Sequence, residues 1–300
     1  MRTLPPAGQV KKHRFKPPVN STGKSPLFLV VLFLLAAVYV NISGCRTVTG
    51  EPSFLVTVPT PEQALQWAKD KYDPDRRREA LKWLMHADWA DTEVYRDIYK
   101  TLAEDEDPTV RTAAMRALGR HGRPEDVTVV LKRLAEDDSE MVRREAALTL
   151  QRIHNDDAIE PLLKAMSEDP SAPVRAAAAA ALGQYPRNNV LEALIVALDD
   201  ENLEVSEGAR RSLTYLTGKN FRYNTVAWLA WLKQADNPFA GQQTYVYQTF
   251  HRDPNFFETL VPIFAPPNET PGIPRGMSTG DAAGKPADNS GNTSEKVREG

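Results

Sequence analysis

The stretch that decides the fold is Asp107–Gly119, which reads Asp-Pro-Thr-Val-Arg-Thr-Ala-Ala-Met-Arg-Ala-Leu-Gly. An aspartate that can cap a helix precedes a proline suited to the first helical position, and alanine and leucine then recur at helical spacing. The same Val-Arg pattern begins again at Val142 and at Val174, each 32 residues after the previous copy. Weaker copies lie on either side, at Arg77–Leu84 and Val205–Leu213. The chain therefore contains an internal repeat of about 32 residues.

A second apolar pattern follows each copy of the first. Its positions also recur every 32 residues, at Ile98/Leu102, Val130/Leu134, Leu162/Met166 and Leu194/Leu198. Two amphipathic helices per repeat cannot bury their apolar faces alone, so they stack on neighbouring repeats. We therefore predict an all-α fold over residues 61–234, a right-handed α-solenoid of about five helical hairpins. In this prediction each Val-Arg helix pairs with the helix after it, and the second helices line the concave surface.

These residues resemble the HEAT-like repeat of the phycobilisome-lyase type. Its Asp-Pro-x-Val-Arg-x-x-Ala-x-x-Ala-Leu-Gly pattern is matched at Asp107, Pro108, Val110, Arg111, Ala114, Ala117, Leu118 and Gly119. The resemblance spans residues 73–234 and implies the fold rather than an activity. The copies at the two ends depart from the pattern, since Arg76 replaces the valine and Ser206 replaces the arginine. Such departures are typical of capping repeats.

Two ladders of basic residues repeat with the hairpins. The first, formed by Arg77, Arg111, Arg143 and Arg175, lies near Asp73, Asp107, Asp138 and Asp169 and predicts ion pairs between repeats that fix the twist of the solenoid. The second is formed by Lys100, Lys132 and Lys164, which lie two residues before core positions and so point away from the core. These lysines either favour the helix dipole or form a basic stripe that binds an acidic protein partner.

The chain changes character after its last apolar helix. Leu216–Leu232 is similar to the closing helix of many bacterial HEAT-repeat proteins, and we expect Trp228 and Trp231 to cover the final hairpin. Residues 235–265 are rich in aromatic side chains, which predicts either packing on the solenoid or binding of a partner. The candidate partner contacts in this extension are Tyr245, Tyr247 and Phe250. Residues 266–300 are rich in Pro, Gly, Ser and Asn and are predicted to be disordered.

The amino terminus has the order of a secretion signal. Its first 44 residues carry six basic side chains and no acid, and Leu27–Val40 is a run of fourteen residues without a charge. As a helix this run rises about 21 Å, which is short of the roughly 30 Å hydrocarbon core of a membrane. Cleavage is therefore expected, with an uncleaved signal anchor as the alternative.

The run is followed by Ile42-Ser43-Gly44-Cys45, which resembles the bacterial lipobox, whose cysteine accepts a diacylglycerol. Cys45 is the only cysteine of the chain, so an intramolecular disulfide is impossible and acylation gives the lone thiol a role. Several acyl chains hold a protein on a membrane where one would not. Arg46 follows the cysteine instead of aspartate, which favours the outer membrane.

The predicted organisation therefore begins with a signal peptide or membrane anchor at residues 1–44 and a spacer at residues 45–60. The solenoid over residues 61–234 follows, and then the aromatic extension and the disordered tail. We expect everything after the anchor to face the periplasm or the exterior in a bacterial cell envelope.

Charge and motifs restrict the function. The whole chain has a formal net charge of −3 and the first 44 residues carry +6, so residues 45–300 carry −9, which argues against nucleic-acid binding. None of the five histidines is followed by glutamate, unlike the His-Glu dipeptides of HEAT-repeat iron hydroxylases. His86, His121 and His154 fall near the ends of Val-Arg helices, about 10 Å apart, so they are interpreted as helix-end cations rather than metal ligands. We find no phosphate loop and no nucleophile elbow, and we expect no metal and no cofactor.

We therefore predict a non-catalytic, membrane-anchored adaptor of the bacterial envelope that binds unidentified protein partners. Two alternatives stay open. One is an accessory or chaperone of an enzyme or of a cofactor-bearing partner, as the resemblance to lyase-type repeats implies. The other is a structural spacer of the envelope.

Overall fold

The computed structural model describes residues 59–247, Thr249 and residues 271–277. The predicted anchor, the lipobox, the spacer up to residue 58 and Phe250 lie outside this part of the chain. The described residues contain eleven α-helices: α1 (Pro61–Ala68), α2 (Pro74–His86), α3 (Glu93–Leu102), α4 (Pro108–His121), α5 (Val127–Glu136), α6 (Glu140–Leu150), α7 (Ile159–Glu168), α8 (Ala172–Leu182), α9 (Asn188–Ala197), α10 (Leu203–Thr217) and α11 (Thr225–Leu232). Their β structure is limited to two isolated bridges. Among the described helices, none combines the length and the apolar composition that a membrane span requires.

Short polar residues and prolines set where the first helices begin. The side chain of Thr60 accepts a hydrogen bond from the amide of Gln63, whose own side chain accepts from the amide of Thr60. Asp73 and Asp107 accept from amides in the first turns of α2 and α4, which each have proline at the first position. These caps satisfy amides that a helix start leaves without partners, so the local sequence specifies these helix starts.

The helices pair in the opposite sense to the expected hairpin. Each Val-Arg helix packs on the helix before it, which gives five hairpins: α1–α2, α3–α4, α5–α6, α7–α8 and α9–α10. The predicted all-α solenoid of about five hairpins is confirmed, but the predicted pairing of each Val-Arg helix with its successor is wrong. The aspartate-containing turn before each Val-Arg helix is the hairpin turn, and the loop after that helix leads to the next repeat.

The Val-Arg helices α2, α4, α6, α8 and α10 stack on one another and form one layer, called here the alanine layer. Gly208 of α10 lies so close to α8 that a Cβ atom there would be 3.2 Å from the carbonyl oxygen of Ala176. The hydroxyl of Ser212 donates to the carbonyl of Ala179 at 2.7 Å. The preceding helices α1, α3, α5, α7 and α9 form the outer layer, in which neighbouring helices touch far less. In the observed hairpins the alanine-layer helices are therefore the second helices, and because they are packed more closely than the outer helices, we expect the stack to curve toward them.

The last helix closes the stack. Trp228 of α11 is fully buried, and its indole nitrogen donates to the carbonyl of Arg222 at 3.1 Å. Phe221 and Trp231 lie against its ring, with ring centroids 4.9 and 5.9 Å away. This aromatic cluster covers the apolar end of the final hairpin, where a further repeat would otherwise be needed.

Candidate functional site

Arg111 shows how the predicted arginine ladder is built. Its Nε and Nη2 atoms donate to the two carboxylate oxygens of Asp137, each at 2.8 Å. Its Nη1 atom donates to the backbone carbonyls of Asp105 and Glu106 at 2.9 and 3.0 Å. Asp105 and Glu106 lie in the turn of the hairpin that contains Arg111, whereas Asp137 lies in the turn of the next hairpin. One side chain therefore joins two successive turns.

The other arginines of the ladder repeat this geometry. Each Nε atom lies within 2.9 Å of a carboxylate in the next turn, in the pairs Arg77–Asp105, Arg143–Asp169 and Arg175–Asp200. Of the carboxylates expected from the sequence, Asp169 and Asp138 contact ladder arginines, Arg143 and Arg111. Asp73 and Asp107 instead cap their own helices, because their side chains point to amides in the following turn.

Burial and pairing shift the ionisation of the ladder. Hydrogen bonds from Arg175 lower the pKa of Asp200, although burial acts in the other direction. At Asp137 burial raises the pKa, but hydrogen bonds from Arg111 and from the amide of Ser139 outweigh it, so the net shift is downward. Asp137 and Asp200 therefore stay charged and bound to their arginines at neutral pH. The arginine ladder is occupied by contacts inside the solenoid and is not free to bind a partner.

The lysine ladder is not the continuous free stripe that the sequence allowed. Lys100 bonds the carboxylates of Asp97 and Asp126 at 2.6 and 3.4 Å, and the Asp97 hydrogen bond raises the pKa of Lys100. Lys132 bonds both carboxylate oxygens of Glu104 in the preceding hairpin, at 3.0 and 3.1 Å. Lys164 is exposed. All three lie on α3, α5 and α7, which are the first helices of the observed hairpins, so their predicted place on the second helices is wrong.

Two of the described histidines, His121 and His154, make contacts within the solenoid. His121 is buried, and its Nε2 atom lies 3.1 Å from the carbonyl oxygens of both Leu84 and Met85 at the end of α2. Burial lowers the pKa of His121, so a neutral ring that donates from Nε2 fits this contact, and its interpretation as a helix-end cation is wrong. His154 contacts the side chain of Gln184 at 3.0 Å. In the part of the chain that the structure describes, no group of His, Cys, Asp or Glu side chains is arranged to hold a metal ion.

A groove of about 410 Å³ lies on the exposed face of the alanine layer, where α2 and α4 pass side by side. We call it the α2–α4 groove. Its lining includes Arg78, Lys82, Met85, Ala113, Arg116 and Met141. A larger groove of about 650 Å³ lies along the α1–α2 turn, but it contains Arg77 and Asp105, which already bind each other as the first ladder pair.

The α2–α4 groove combines flexible apolar side chains with a charged rim. Met141 is 52% exposed, and thioether side chains adapt to irregular apolar surfaces. The rim cations are each paired with a nearby acid, in Arg78–Asp75 at 2.8 Å, Lys82–Glu79 at 3.5 Å and Arg116–Glu145 at 3.0 Å. The pairs of Arg78 and Lys82 are exposed on both sides and contribute only about 0.2–1 kcal/mol each, so a carboxylate from another molecule can replace their internal acids at little cost. Glu145 is largely buried, so Arg116 stays paired with it.

The aromatic extension packs on the solenoid. Tyr245 is only 3% exposed, and its hydroxyl donates to the carbonyl of Ala180 at 2.7 Å. Burial raises the pKa of Tyr245 well above its ordinary value. The guanidinium of Arg152 lies 5.5 Å from the ring centroid of Tyr247. Tyr245 therefore packs within the solenoid, and its prediction as a partner contact is wrong. Phe250 lies outside the described residues.

Sequence reasoning missed the α2–α4 groove because its walls come from different repeats. The available signal was Arg78 and Lys82, which are four residues apart and so lie on one face of α2. Reading that signal required knowing that α4, with the small side chain of Ala113, lies directly beside that face. The local sequence of α2 does not contain this information.

Several solved structures are similar to this chain. The E. coli protein YibA is 19% identical, with a TM-score of 0.43, over 73% of this chain and 82% of that chain. A complex of CpcE and CpcF of phycocyanin lyase from Nostoc sp. is 21% identical, with a TM-score of 0.38, over 57% and 82%. A designed armadillo repeat protein is 19% identical, with a TM-score of 0.41, over 58% and 92%. With TM-scores below 0.5, these likenesses assign no function to the chain.

The match to a family model is more specific. No curated protein matches the chain significantly. The model of HEAT repeats, however, matches residues 61–151 and again residues 127–214. The two overlapping matches together span more than half of the 300 residues. They include all four arginines of the ladder and both walls of the α2–α4 groove. The chain belongs to the HEAT repeat family.

Proposed function

We propose that this protein is a non-catalytic, membrane-anchored adaptor of the bacterial envelope that binds a protein partner in the α2–α4 groove. The observation that carries the proposal is the chemistry of that groove. Adaptable thioethers, a small alanine floor and two weakly held rim cations, Arg78 and Lys82, lie together on the alanine layer. The buried charges of the arginine ladder are already used within the solenoid.

The groove favours a partner segment that presents an apolar side chain flanked by carboxylates. The apolar side chain would pack between Met85 and Met141, where it replaces water on the thioethers. One carboxylate would pair with Lys82, whose internal ion pair with Glu79 is exposed and weak, and a second would lie beside Arg116, which keeps its pair with the largely buried Glu145. Charge pairing of this kind favours the rate and specificity of association more than its affinity.

A photo-crosslinking amino acid at Met141 tests this proposal in the native cell. We expect one discrete adduct from position 141 and a weaker adduct when Lys82→Glu is added, because reversing the rim charge repels an acidic segment. Lys132→Glu is the matched control, since it reverses a lysine of the outer layer whose side chain is similarly exposed. The same crosslinker at Val196, which is 72% exposed on the outer layer, reports non-specific contacts.

Two results would contradict the adaptor proposal. One is the absence of a discrete adduct from position 141, which favours the spacer alternative. The other is the same adduct from positions 141 and 196, which would show that the partner contacts both layers non-specifically and does not bind in the groove. A chromophore or metal that copurifies with the chain would instead support the accessory alternative.

The anchor is a separate part of the proposal. Ile42-Ser43-Gly44-Cys45 follows an apolar run, and Cys45 is the only thiol, which together support lipidation at this residue. Labelling of cells with a fatty-acid analogue should mark the wild type and not Cys45→Ser. Equal labelling of both chains refutes lipidation, and a mature protein that retains Met1 supports the signal-anchor alternative.

A further inference from the structure

One edge of the solenoid is formed by the carboxyl ends of the alanine-layer helices and the loops that follow them. Helix ends leave backbone carbonyls without partners inside the helix. The extension donates to this edge at two successive helices. The amide of Gln243 donates to the carbonyl of Tyr215 in α10, and the hydroxyl of Tyr245 donates to the carbonyl of Ala180 in α8, both at 2.7 Å.

Residues 271–277 continue along the same edge past the ends of α6 and α4. The amide of Arg275 donates to the carbonyl of Arg152 at 2.8 Å, and the carbonyl of Arg275 accepts from the amide of His154 at 2.7 Å. Ile153 and Arg275 thereby form a parallel β-bridge. The Nη1 atom of Arg275 donates to the carbonyl of Gly122, which follows α4, at 3.0 Å. The predicted disorder of residues 266–300 is therefore wrong for this segment.

The residue after this arginine is selected for its lack of a side chain. Gly276 has a φ of +87°, a conformation that other residues rarely adopt. A Cβ atom at Gly276 would be 2.5 Å from Cγ of Pro124 and 2.8 Å from the carbonyl oxygen of His154. The side-chain hydrogen bond to Gly122 favours arginine at position 275, and this steric limit favours glycine at position 276.

The segment is held by hydrogen bonds and by the buried Pro274. Ile273 is largely exposed, whereas the amide of Tyr247 donates to the carbonyl of Gly272 at 3.0 Å. Backbone pairing of an extended peptide with an exposed edge is a general mode of peptide recognition, in which main-chain bonds give affinity and side-chain fit gives specificity. A segment held in this way can dissociate from the edge without exposing a large apolar surface.

We infer that this edge, from Gly122 to Tyr215, is a binding site for an extended Arg-Gly peptide, and that residues 271–277 are its internal ligand. The site is distinct from the α2–α4 groove and goes beyond the adaptor function proposed above. A protein partner with an exposed Arg-Gly segment binds at the same edge when the internal ligand dissociates. The internal ligand thus controls access to the edge.

The test uses the full chain in detergent and a fluorescein-labelled peptide with the sequence of residues 271–277. Gly276→Val should release the internal segment, because valine at this position meets Pro124 and disfavours a positive φ. Ile273→Ala, an exposed position in the same segment, is the matched control. The peptide should bind Gly276→Val at least about tenfold more tightly than the wild type or Ile273→Ala, since a tethered ligand competes at an effective concentration on the order of millimolar. A peptide in which alanine replaces the arginine should not bind.

Hydrogen exchange at the amide of His154 independently measures whether residues 271–277 are bound to the edge. The exchange should be faster in Gly276→Val than in the wild type, while the α6 amides stay protected and circular dichroism stays unchanged. Unchanged exchange at the His154 amide would mean that Arg275 does not hold the segment on the edge. This result overturns the inference. Faster exchange without peptide binding, or equal binding to all three chains, overturns the peptide site. If the wild type forms a dimer and Gly276→Val abolishes that dimer, the segment binds a second copy of the chain. This result overturns the inference that residues 271–277 bind their own chain.

Discussion

The alanine layer and the outer layer of the solenoid are built on different principles. In the alanine layer, Ala178 and Ala179 are fully buried, and Ser212 of the next helix donates directly to a backbone carbonyl of α8. In the outer layer, Val196 is mostly exposed, and Lys132 reaches the preceding hairpin only through a partly exposed carboxylate. The comparison indicates that close packing in the alanine layer sets the spacing of the repeats. The outer layer is packed more loosely and adapts to that spacing.

The largest difference between the layers is expected for a buried charge. Ala178→Asp places a carboxylate without a partner between α8 and its neighbours, and should lower the free energy of unfolding by roughly 3–5 kcal/mol. Val196→Asp introduces the same group on the outer layer and should change it by no more than about 0.5 kcal/mol. Urea denaturation followed by circular dichroism measures both. Similar midpoints for the two variants would show that the layers are not distinguished by packing.

The next largest effect concerns the ladder that joins the hairpin turns. Arg111→Ala leaves the buried carboxylate of Asp137 without its main partner and should cost about 3 kcal/mol. Lys132→Ala removes an exposed pair with Glu104 and should cost about 0.2–1 kcal/mol. The same urea titration compares them. Arg111→Ala/Asp137→Ala should lose less than the sum of the two single variants, and strict additivity would contradict a direct pair.

The ladder also marks where sequence reasoning succeeded and where it stopped. The repeat was predictable because the Val-Arg pattern and the alanines recur at a constant period, and only stacked hairpins bury such faces. The partner of each arginine was less accessible, because Arg111 is close in sequence to Asp107 but close in space to Asp137. Two short loops flank every helix, and the sequence does not say which is the hairpin turn. That ambiguity produced the wrong hairpin pairing.

The candidate sites were less predictable than the fold. The α2–α4 groove depends on contacts between helices of different repeats, so no single motif encodes it. The seating of Arg275 depends on carbonyls at the ends of α4 and α6, in a segment whose composition indicates disorder. Composition indicates how much apolar surface a segment can bury, whereas this segment also depends on hydrogen bonds to the ends of other helices.

A smaller effect is expected from acid. Hydrogen bonds from Arg175 lower the pKa of Asp200 in the folded chain, so this pair contributes full stability above the unfolded-state pKa of about 4. The contribution is lost as the pH falls through the lower folded-state pKa. Asp200→Asn should therefore flatten the fall of the urea midpoint between about pH 5 and pH 2. A fall as steep as that of the wild type would show that this pair adds nothing to acid sensitivity.

The smallest effect should come from the lysines of the outer layer. Lys132→Glu/Lys164→Glu reverses two exposed charges, and should lower the free energy of unfolding by no more than about 1–2 kcal/mol because exposed ion pairs are weak. Lys100 stays unchanged in this variant, since it helps to neutralise the buried carboxylate of Asp126. If the partner binds the alanine layer, crosslinking from position 141 should be unaffected by the double variant and weakened by Lys82→Glu. The reverse outcome, in which the double variant abolishes a salt-sensitive crosslink and Lys82→Glu does not, would move the binding site to the outer layer.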